Sequence, residues 1–325
     1  MAQQPVRRVV TAWLRNLRKR ESLVALALTI SCMTVLRIVT DVPDERTEGQ
    51  TAPEEEYLTD AAFMKALQEL GHRISTVRSP CRRLAQLGGK VMCYCDTWHC
   101  SNDGAKLLCL DDDVRPFPKR CFALNVGIGF DLSFDEAMVQ YGCRVTALDP
   151  TNPNITNMMH QKNLHALGIG LDSTDYILSL DMTYDSKNYV KATASYMTYK
   201  SILNTLDHPR VDLLKIDIEG YEWRVLKQIL NAPDATELLK DVRQILLEIH
   251  LDFLLKPDDV LDKYENILDT LQVLRQLEEF GFVLAAYDLN ETRQQYFAFN
   301  GYQIAVFREL TLLRRPSVRP LNSRR

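Results

Sequence analysis

The residues best suited to chemistry lie in Lys215-Ile-Asp-Ile-Glu-Gly-Tyr-Glu-Trp223, where an apolar run ends in two acids, a glycine and a helix start. A second run, Leu247-Glu-Ile-His250, ends in a histidine. An acid or imidazole at the end of a buried strand is placed to take a proton from a weak nucleophile such as an alcohol. Asp217 and His250 are the candidates for that base, with Glu219 facing the same cleft if the chain stays extended. The structural alternatives are a satisfied core histidine for His250 and a turn with a helix cap for Asp217 and Glu219. Asp217, Glu219 and Glu248 also offer oxygen ligands to a divalent cation, and strand alternation puts Glu248 and His250 on one face. A site without metal is the expectation.

A cofactor edge is predicted upstream, in Phe122-Ala-Leu-Asn-Val-Gly-Ile-Gly-Phe-Asp131. Gly127 and Gly129 follow an apolar strand directly, so the backbone can turn tightly and approach a ligand without a Cβ in the way. Asp149 ends the next strand, where an acid accepts hydrogen bonds from ribose hydroxyls. A dinucleotide fingerprint wants a further glycine near position 132, where Leu132 stands. That weakens the alternative of an NAD-dependent oxidoreductase and favours an adenosyl cofactor without pyrophosphate, S-adenosylmethionine. Asp172, after the third strand, is a candidate adenine contact or an ordinary loop acid.

These residues need a scaffold, and the pattern supplies one. A helix is predicted over Ala61–Leu70, then a loop-rich, cysteine-rich cap over 81–121. Strands are predicted at Phe122–Val126, Arg144–Leu148, Leu167–Leu171, Val211–Ile216 and Val242–Ile249. Ser133-Phe-Asp-Glu136 reads as a capping box for a helix ending at Gly142. A helix through Trp223, Leu226 and Leu230 and a long one presenting Leu261, Tyr264, Leu268, Leu271 and Leu274 complete the alternation. The chain closes with Gly281–Tyr287 and Tyr302–Arg308, too close together for a crossover, so they must pair antiparallel. The predicted fold is α/β: a doubly wound, mostly parallel Rossmann-like sheet with a C-terminal antiparallel hairpin.

The string Lys215–Trp223, with Leu247–His250, resembles the FkbM-type methyltransferase family and its animal branch. Ser133–Met138, Tyr141-Gly-Cys143 and Ala147-Leu-Asp-Pro150 are similar too, and the likeness runs over about residues 80–308. The resemblance implies a class I fold using S-adenosylmethionine and O-methylation of a hydroxyl; the compartment expected below makes a glycan or small molecule the acceptor. Gly127, Gly129 and Asp149 carry over as cofactor contacts. Asn125 stands where methyltransferases often place an acid against the methionine amino group; it keeps an acceptor oxygen without the charge, which brings Asp131 into consideration. An inactive methyltransferase fold used as a binding module is the alternative that Asn125 supports.

Ahead of this body the chain changes character. Residues 1–21 are basic, 22–40 form an apolar run near the lower limit for a membrane span, and 41–60 are an acidic stem. The body then divides into a helix and cap at 61–121, a methyltransferase domain at 122–310 and a basic tail at 311–325. Cations before the apolar run and acids after it predict a type II signal anchor with a lumenal body in the secretory pathway. A cleaved signal peptide or a mitochondrial presequence are the alternatives. Cys81, Cys93, Cys95, Cys100, Cys109 and Cys121 form an even set expected to pair as disulfides, with zinc binding near His99 as a rival and Cys143 as a buried thiol. Asn154-Ile-Thr156 and Asn290-Glu-Thr292 are glycosylation acceptors. A net charge of -4 gives no sign of a nucleic-acid partner.

Overall fold

The computed structural model describes residues 58–94, 99–129, 131–151, 162–185, 188–257, 259–290 and 295–315. The first element is helix α1, Asp60–Arg73, capped by the Thr59 hydroxyl and burying Phe63, Leu67 and Leu70 as predicted. The cap holds more regular structure than the turn residues suggested. Strand β1 (Leu84–Leu87) pairs with β4 (Lys106–Cys109), and between them β2 (Lys90–Tyr94) pairs with β3 (His99–Asp103).

The core then alternates. Strand β5 (Phe122–Val126) leads to α2 (Ser133–Tyr141), β6 (Arg144–Leu148), β7 (Leu164–Leu167) and β8 (Ile169–Leu171). The predicted strand over Leu167–Leu171 is thus two short ones: β7 joins the main sheet, while β8 pairs with a hairpin that sequence reading missed, β9 (Tyr176–Asp185) and β10 (Asn188–Met197). Helix α3 (Tyr199–Thr205), β11 (Leu213–Ile216), α4 (Glu222–Leu230), the short α5 (Ala235–Leu238) and β12 (Gln244–His250) follow. After α6 (Val260–Glu279) come β13 (Phe282–Leu289), the hairpin β14 (Tyr296–Phe299) and β15 (Tyr302–Ala305), and β16 (Phe307–Arg314).

Seven strands form the central sheet in the order β13-β16-β12-β11-β5-β6-β7. Its five inner and far strands run parallel, and β16 inserts antiparallel between β12 and β13. The antiparallel closing pair was expected, but its second strand is not Tyr302–Arg308. Tyr302–Ala305 belongs to the small hairpin and the sheet strand starts at Phe307, so the expected boundary of the basic tail at 311 gives way to a strand reaching Arg314.

The inner strands are buried on both faces, as parallel strands under helices must be. Leu124, Val126, Leu214 and Ile216 pack toward Phe63 and Leu67 of α1 and Leu226 and Ile229 of α4, whereas Ala123, Leu213 and Leu246 pack with Leu108 and Met138 on the opposite face. In α6 the buried face is Ile267, Leu271, Leu274 and Leu277, with Leu261 and Leu268 exposed. Of the predicted stripe, Tyr264, Leu271 and Leu274 pack on the core and Leu261 and Leu268 do not, while polar Lys263 and Thr270 take buried positions.

Two disulfides are present among the described residues, Cys81–Cys109 and Cys121–Cys143. Cys143 is therefore a disulfide partner and not a free buried thiol: Cys121 and Cys143 immediately precede the neighbouring strands β5 and β6 and so meet edge to edge. Cys93 and Cys100 are register partners across β2 and β3, while Cys95 lies outside the described residues. No helix among the described residues is long and apolar enough to cross a membrane; the apolar run 22–40 and Asn154 lie outside them.

Candidate functional site

At the carboxyl ends of β5, β6 and β11 lies a cleft of about 620 Å³, lined among others by Asn125, Gly127, Gly129, Asp131, Asp149 and Asp217. This is where a doubly wound sheet places its ligand. Gly127 has φ +85°, and a Cβ there would fall 1.6 Å from the Asp217 carbonyl oxygen. Only glycine lets the two strand ends approach this closely.

Asp149 is buried and fastens the glycine turn. One carboxylate oxygen accepts from the backbone N–H of Ile128 at 3.0 Å and Gly129 at 2.7 Å; the other accepts from the Thr151 N–H at 2.8 Å and hydroxyl at 2.6 Å. Its acceptor positions are thereby filled. A ribose hydroxyl would have to displace one of these donors, and the Thr151 hydroxyl, which can rotate away, is the one able to leave.

Asn125 is fully buried, and its Nδ2 donates to both oxygens of Asp135 at 2.8 and 2.9 Å. Its Oδ1, in the wall of the cleft, has no partner. Burial pushes the Asp135 carboxyl up to about 6, against the lowering effect of the Asn125 hydrogen bond and the Lys215 charge. Asp131 also lines the cleft, where it accepts from the Ser133 N–H at 2.9 Å and hydroxyl at 3.0 Å. It is Asp131, not the predicted capping box, that covers the start of α2: Ser133 is the first helical residue and Leu132 the cap position.

Asp172 is the predicted contact that the structure removes from the site. It is fully buried, paired with Arg224 through both oxygens, and accepts from the Tyr176 hydroxyl at 2.7 Å; it does not line the cleft. Burial alone would raise its carboxyl, but Tyr176 and Arg224 hold it below the ordinary carboxylate range. The wall expected of it is made instead by Pro150, Gly170, Leu171 and Tyr196, the last stacked on Tyr176 at 4.8 Å between ring centres. Sequence reading missed Tyr196 with its hairpin, although Leu178–Asp185 and Val190–Tyr196 alternate apolar and polar residues as strands do.

Asp217 ends β11 as predicted. Burial would raise its carboxyl, but the ammonium groups of Lys215 and Lys106, each 3.3 Å away, outweigh that and hold it far below the usual range. Lys215 also donates to the Gly127 carbonyl. Glu219 sits at φ +54°, a left-handed conformation uncommon outside glycine. This turns the chain sharply into α4 and leaves the Glu219 side chain 63% exposed, 3.5 Å from His250 Nε2.

His250 is buried, with Nδ1 3.0 Å from Glu222 Oε1 and no hydrogen-bond partner at Nε2. Burial would lower the imidazole, but the hydrogen bond and charge of Glu222, with Glu248 and Asp217 behind, push it up to about 9. Glu222 itself accepts from the N–H groups of Ile218 at 2.8 Å and Gly220 at 3.1 Å, so one buried acid fixes both turn and imidazole. Ligand atoms of Asp217, Glu248 and His250 lie within 4.8 Å of one another, but a buried Lys106 ammonium reaches Glu248 at 2.9 Å. Glu219 takes no part in that cluster. Sequence reading gave Lys106, Lys215, Glu222, Asn290 and Glu309 no role here; Lys215 and Glu222 stood inside the string already singled out, and Glu222 carried the further signal of an acid in a first helical turn.

Asn290 is corrected as a glycosylation site. It is buried and its Nδ2 donates to Glu248 Oε1 at 2.6 Å, so its amide is committed inside the protein. A second pocket of about 640 Å³ adjoins the cleft across the Glu219 turn, lined by Tyr221, Trp223, His250, Asp252, Phe253 and Lys256 among others.

A family model described as the methyltransferase FkbM domain matches residues 121–284, from the disulfide before β5 into β13. The chain belongs to the FkbM methyltransferase family. It is 30% identical over 155 residues to the probable methyltransferase-like protein 24 of Rattus norvegicus, covering 45% of this chain and 38% of that protein. The protein of the same name from Homo sapiens is 27% identical over 151 residues, covering 44% and 37%. The chain thus spans less than two fifths of the length of these relatives. Among solved structures it is similar to a fibrillarin pre-rRNA processing protein of Methanococcus jannaschii, at 12% identity and TM-score 0.35, over 62% of this chain and 70% of that one. That likeness is too low to bear on function. The FkbM family and the described sheet order together give a methyltransferase-like fold with a mixed, mostly parallel sheet.

Proposed function

We propose that this protein is an S-adenosylmethionine-dependent O-methyltransferase acting on a hydroxyl of a glycan or small molecule. The carrying observation is the cleft, in a chain of a methyltransferase family: Gly127 is closed against the Asp217 carbonyl, and the unpartnered Asn125 Oδ1 is left to receive a donor such as an ammonium group. The bound cofactor supplies an electrophilic methyl group. Asn125 and Asp131 take its amino-acid end, the Gly127–Gly129 turn its middle, and Pro150, Gly170 and Tyr196 its base.

The acceptor enters from the second pocket, whose aromatic and charged lining suits a polar, hydroxylated molecule. His250 lines that pocket, with its buried Nε2 3.5 Å from the Glu219 carboxylate, and accepts the acceptor proton once it is itself deprotonated. Asp217, held ionised by two lysines, is too weak a base for that step and acts as a fixed negative charge. The two disulfides support an oxidising compartment, and with the basic-apolar-acidic order of residues 1–60 they make a membrane-anchored, lumenal enzyme the reading we adopt.

The test is calorimetric titration of the protein with S-adenosylmethionine, S-adenosylhomocysteine and NAD, followed by transfer of labelled methyl to a panel of hydroxylated acceptors. Micromolar binding of both adenosyl ligands and none of NAD is expected. A second reading, a methyltransferase fold that binds without catalysis, is favoured by the filled acceptor positions of Asp149 and takes first place if folded protein binds no adenosyl ligand.

A further inference from the structure

The proposed chemistry uses Asp217 and His250 but not the buried cluster beside them. Glu248 on β12 and Glu309 on β16 are directly opposite in the antiparallel register, and burial, with Glu248 and Asp217 close by, pushes the Glu309 carboxyl well above its ordinary value despite the Lys106 charge. Asp217 closes on the same point from β11. Between these three acids lies the ammonium of Lys106, 2.9 Å from Glu248, 3.3 Å from Asp217 and hydrogen-bonded to Glu309.

The Lys106 side chain is 1% exposed, a state lysine rarely reaches unless paired. It comes from the cap, at the start of β4, whose other end is fixed by the Cys81–Cys109 disulfide and by the Gln244 side chain, which accepts from the Cys109 N–H and donates to its carbonyl. Burial would lower the ammonium, but Glu309, Asp217 and Glu248 raise it well above its ordinary value, making it a permanent positive charge. Lys215 flanks Asp217 on the other side, Asn290 holds the second oxygen of Glu248, and His250 completes the surroundings. Lys106 does not line the cleft, whereas Asp217 and Glu248 do.

We propose that Lys106 is a positioning residue of the transfer site: it locks the carboxylates of Asp217 and Glu248 together at the cleft floor and sets the charge that a bound methyl donor meets. This rests on the methyl-donor reading above. The donor carries one more positive charge than the product left after transfer. A floor balanced by Lys106 discriminates between them by a constant amount; a floor without it has surplus negative charge that favours the donor and that protons can neutralise.

The experiment measures affinities for S-adenosylmethionine and S-adenosylhomocysteine between pH 5.5 and 8, in the unsubstituted chain, Lys106→Met, Lys106→Arg, and Lys106→Met combined with Glu309→Gln. The last also replaces Glu309, whose carboxyl burial holds well above its ordinary value and so toward the neutral form, by a neutral amide outside the cleft; it leaves the same surplus charge on Asp217 and Glu248 and protects folding if the single variant is unstable. The unsubstituted chain and Lys106→Arg are expected to keep a constant affinity ratio. The two Met variants are expected to shift the ratio toward the donor by about tenfold at pH 8, falling back as the pH drops. Lost packing alone would weaken both ligands together. A folded Met variant with the unsubstituted ratio at every pH overturns the inference and leaves the donor reading intact; no binding of either ligand by the unsubstituted chain overturns both.

Discussion

His250 and Asp135 each make the stability of the protein fall as pH rises, in two separate windows. The imidazole is raised to about 9 by Glu222, so its contribution is fully present below the unfolded value near 6.5 and is lost as pH rises through 9. That loss amounts to about 3 kcal/mol, and urea unfolding at pH 6 and 9.5 is expected to show it in the unsubstituted protein and not in His250→Gln. Turnover moves the other way: only the deprotonated imidazole takes a proton, so the rate is expected to climb with pH, reach half its maximum near 9 and level off above it, and a flat profile would remove His250 from that role. Asp135, raised to about 6, is favoured in its protonated form in the folded state, so stability falls by about 3 kcal/mol as pH rises from 4 past 6. Asp135→Asn is expected to abolish that slope while still meeting the Asn125 amide. An unchanged slope in Asp135→Asn would place the titration elsewhere.

At the scale of elements, the two strand ends that make the cleft are legible in sequence, since an apolar run closing on glycine or on acids announces both a strand and its exit. Gly127 marks such an exit, and Gly127→Ala would drive a Cβ into the Asp217 carbonyl at a φ that side chains rarely adopt. The variant is expected to lose adenosyl binding at least a hundredfold and to unfold at lower urea, whereas Gly129→Ala, with nothing within 4 Å of its Cβ, is expected to keep the fold and suffer only the backbone strain. Comparable losses in both would show that strain, not the approach of β5 to β11, governs the turn. The rest of the site was not legible because its partners converge only through topology. Lys106 and Glu309 stand 203 residues apart and meet because β4 of the cap crosses β16. Neither has a local pattern that marks it: one is a lysine in a short strand, the other an acid in a strand whose start was misplaced by five residues. Tyr196 and Asp172 differ: the hairpin that carries Tyr196 into the cleft and meets Asp172 through Tyr176 alternates apolar and polar residues over Leu178–Asp185 and Val190–Tyr196, a legible signal that the strand assignment overlooked.

For the whole molecule, the family match and the folding unit differ in extent. Residues 121–284 contain the cofactor edge, Asp217 and His250, yet they end inside β13 and omit β16, the strand between β12 and β13. Without β16, β12 loses one of its two ladders and β13 loses its partner. Residues before 121 matter as much on the opposite sides of the sheet. Phe63, Leu67 and Leu70 of α1 complete the apolar layer with α4 and α6, and Arg315, after β16, is held by Asp111 at 2.9 Å and Asp113 at 2.6 Å in the cap. The cap and the last strand are therefore tied to each other around the family's segment. A fragment of residues 121–284 is expected to show no cooperative urea transition, while 58–315 unfolds in one step. Dithiothreitol is expected to lower the 58–315 midpoint by releasing Cys81–Cys109 and Cys121–Cys143, each worth about 2–4 kcal/mol as disulfides generally are. A cooperative, ligand-binding 121–284 fragment would mean that the sheet closes without β16 and that the cap, with Lys106, is an accessory to the site and not part of its construction.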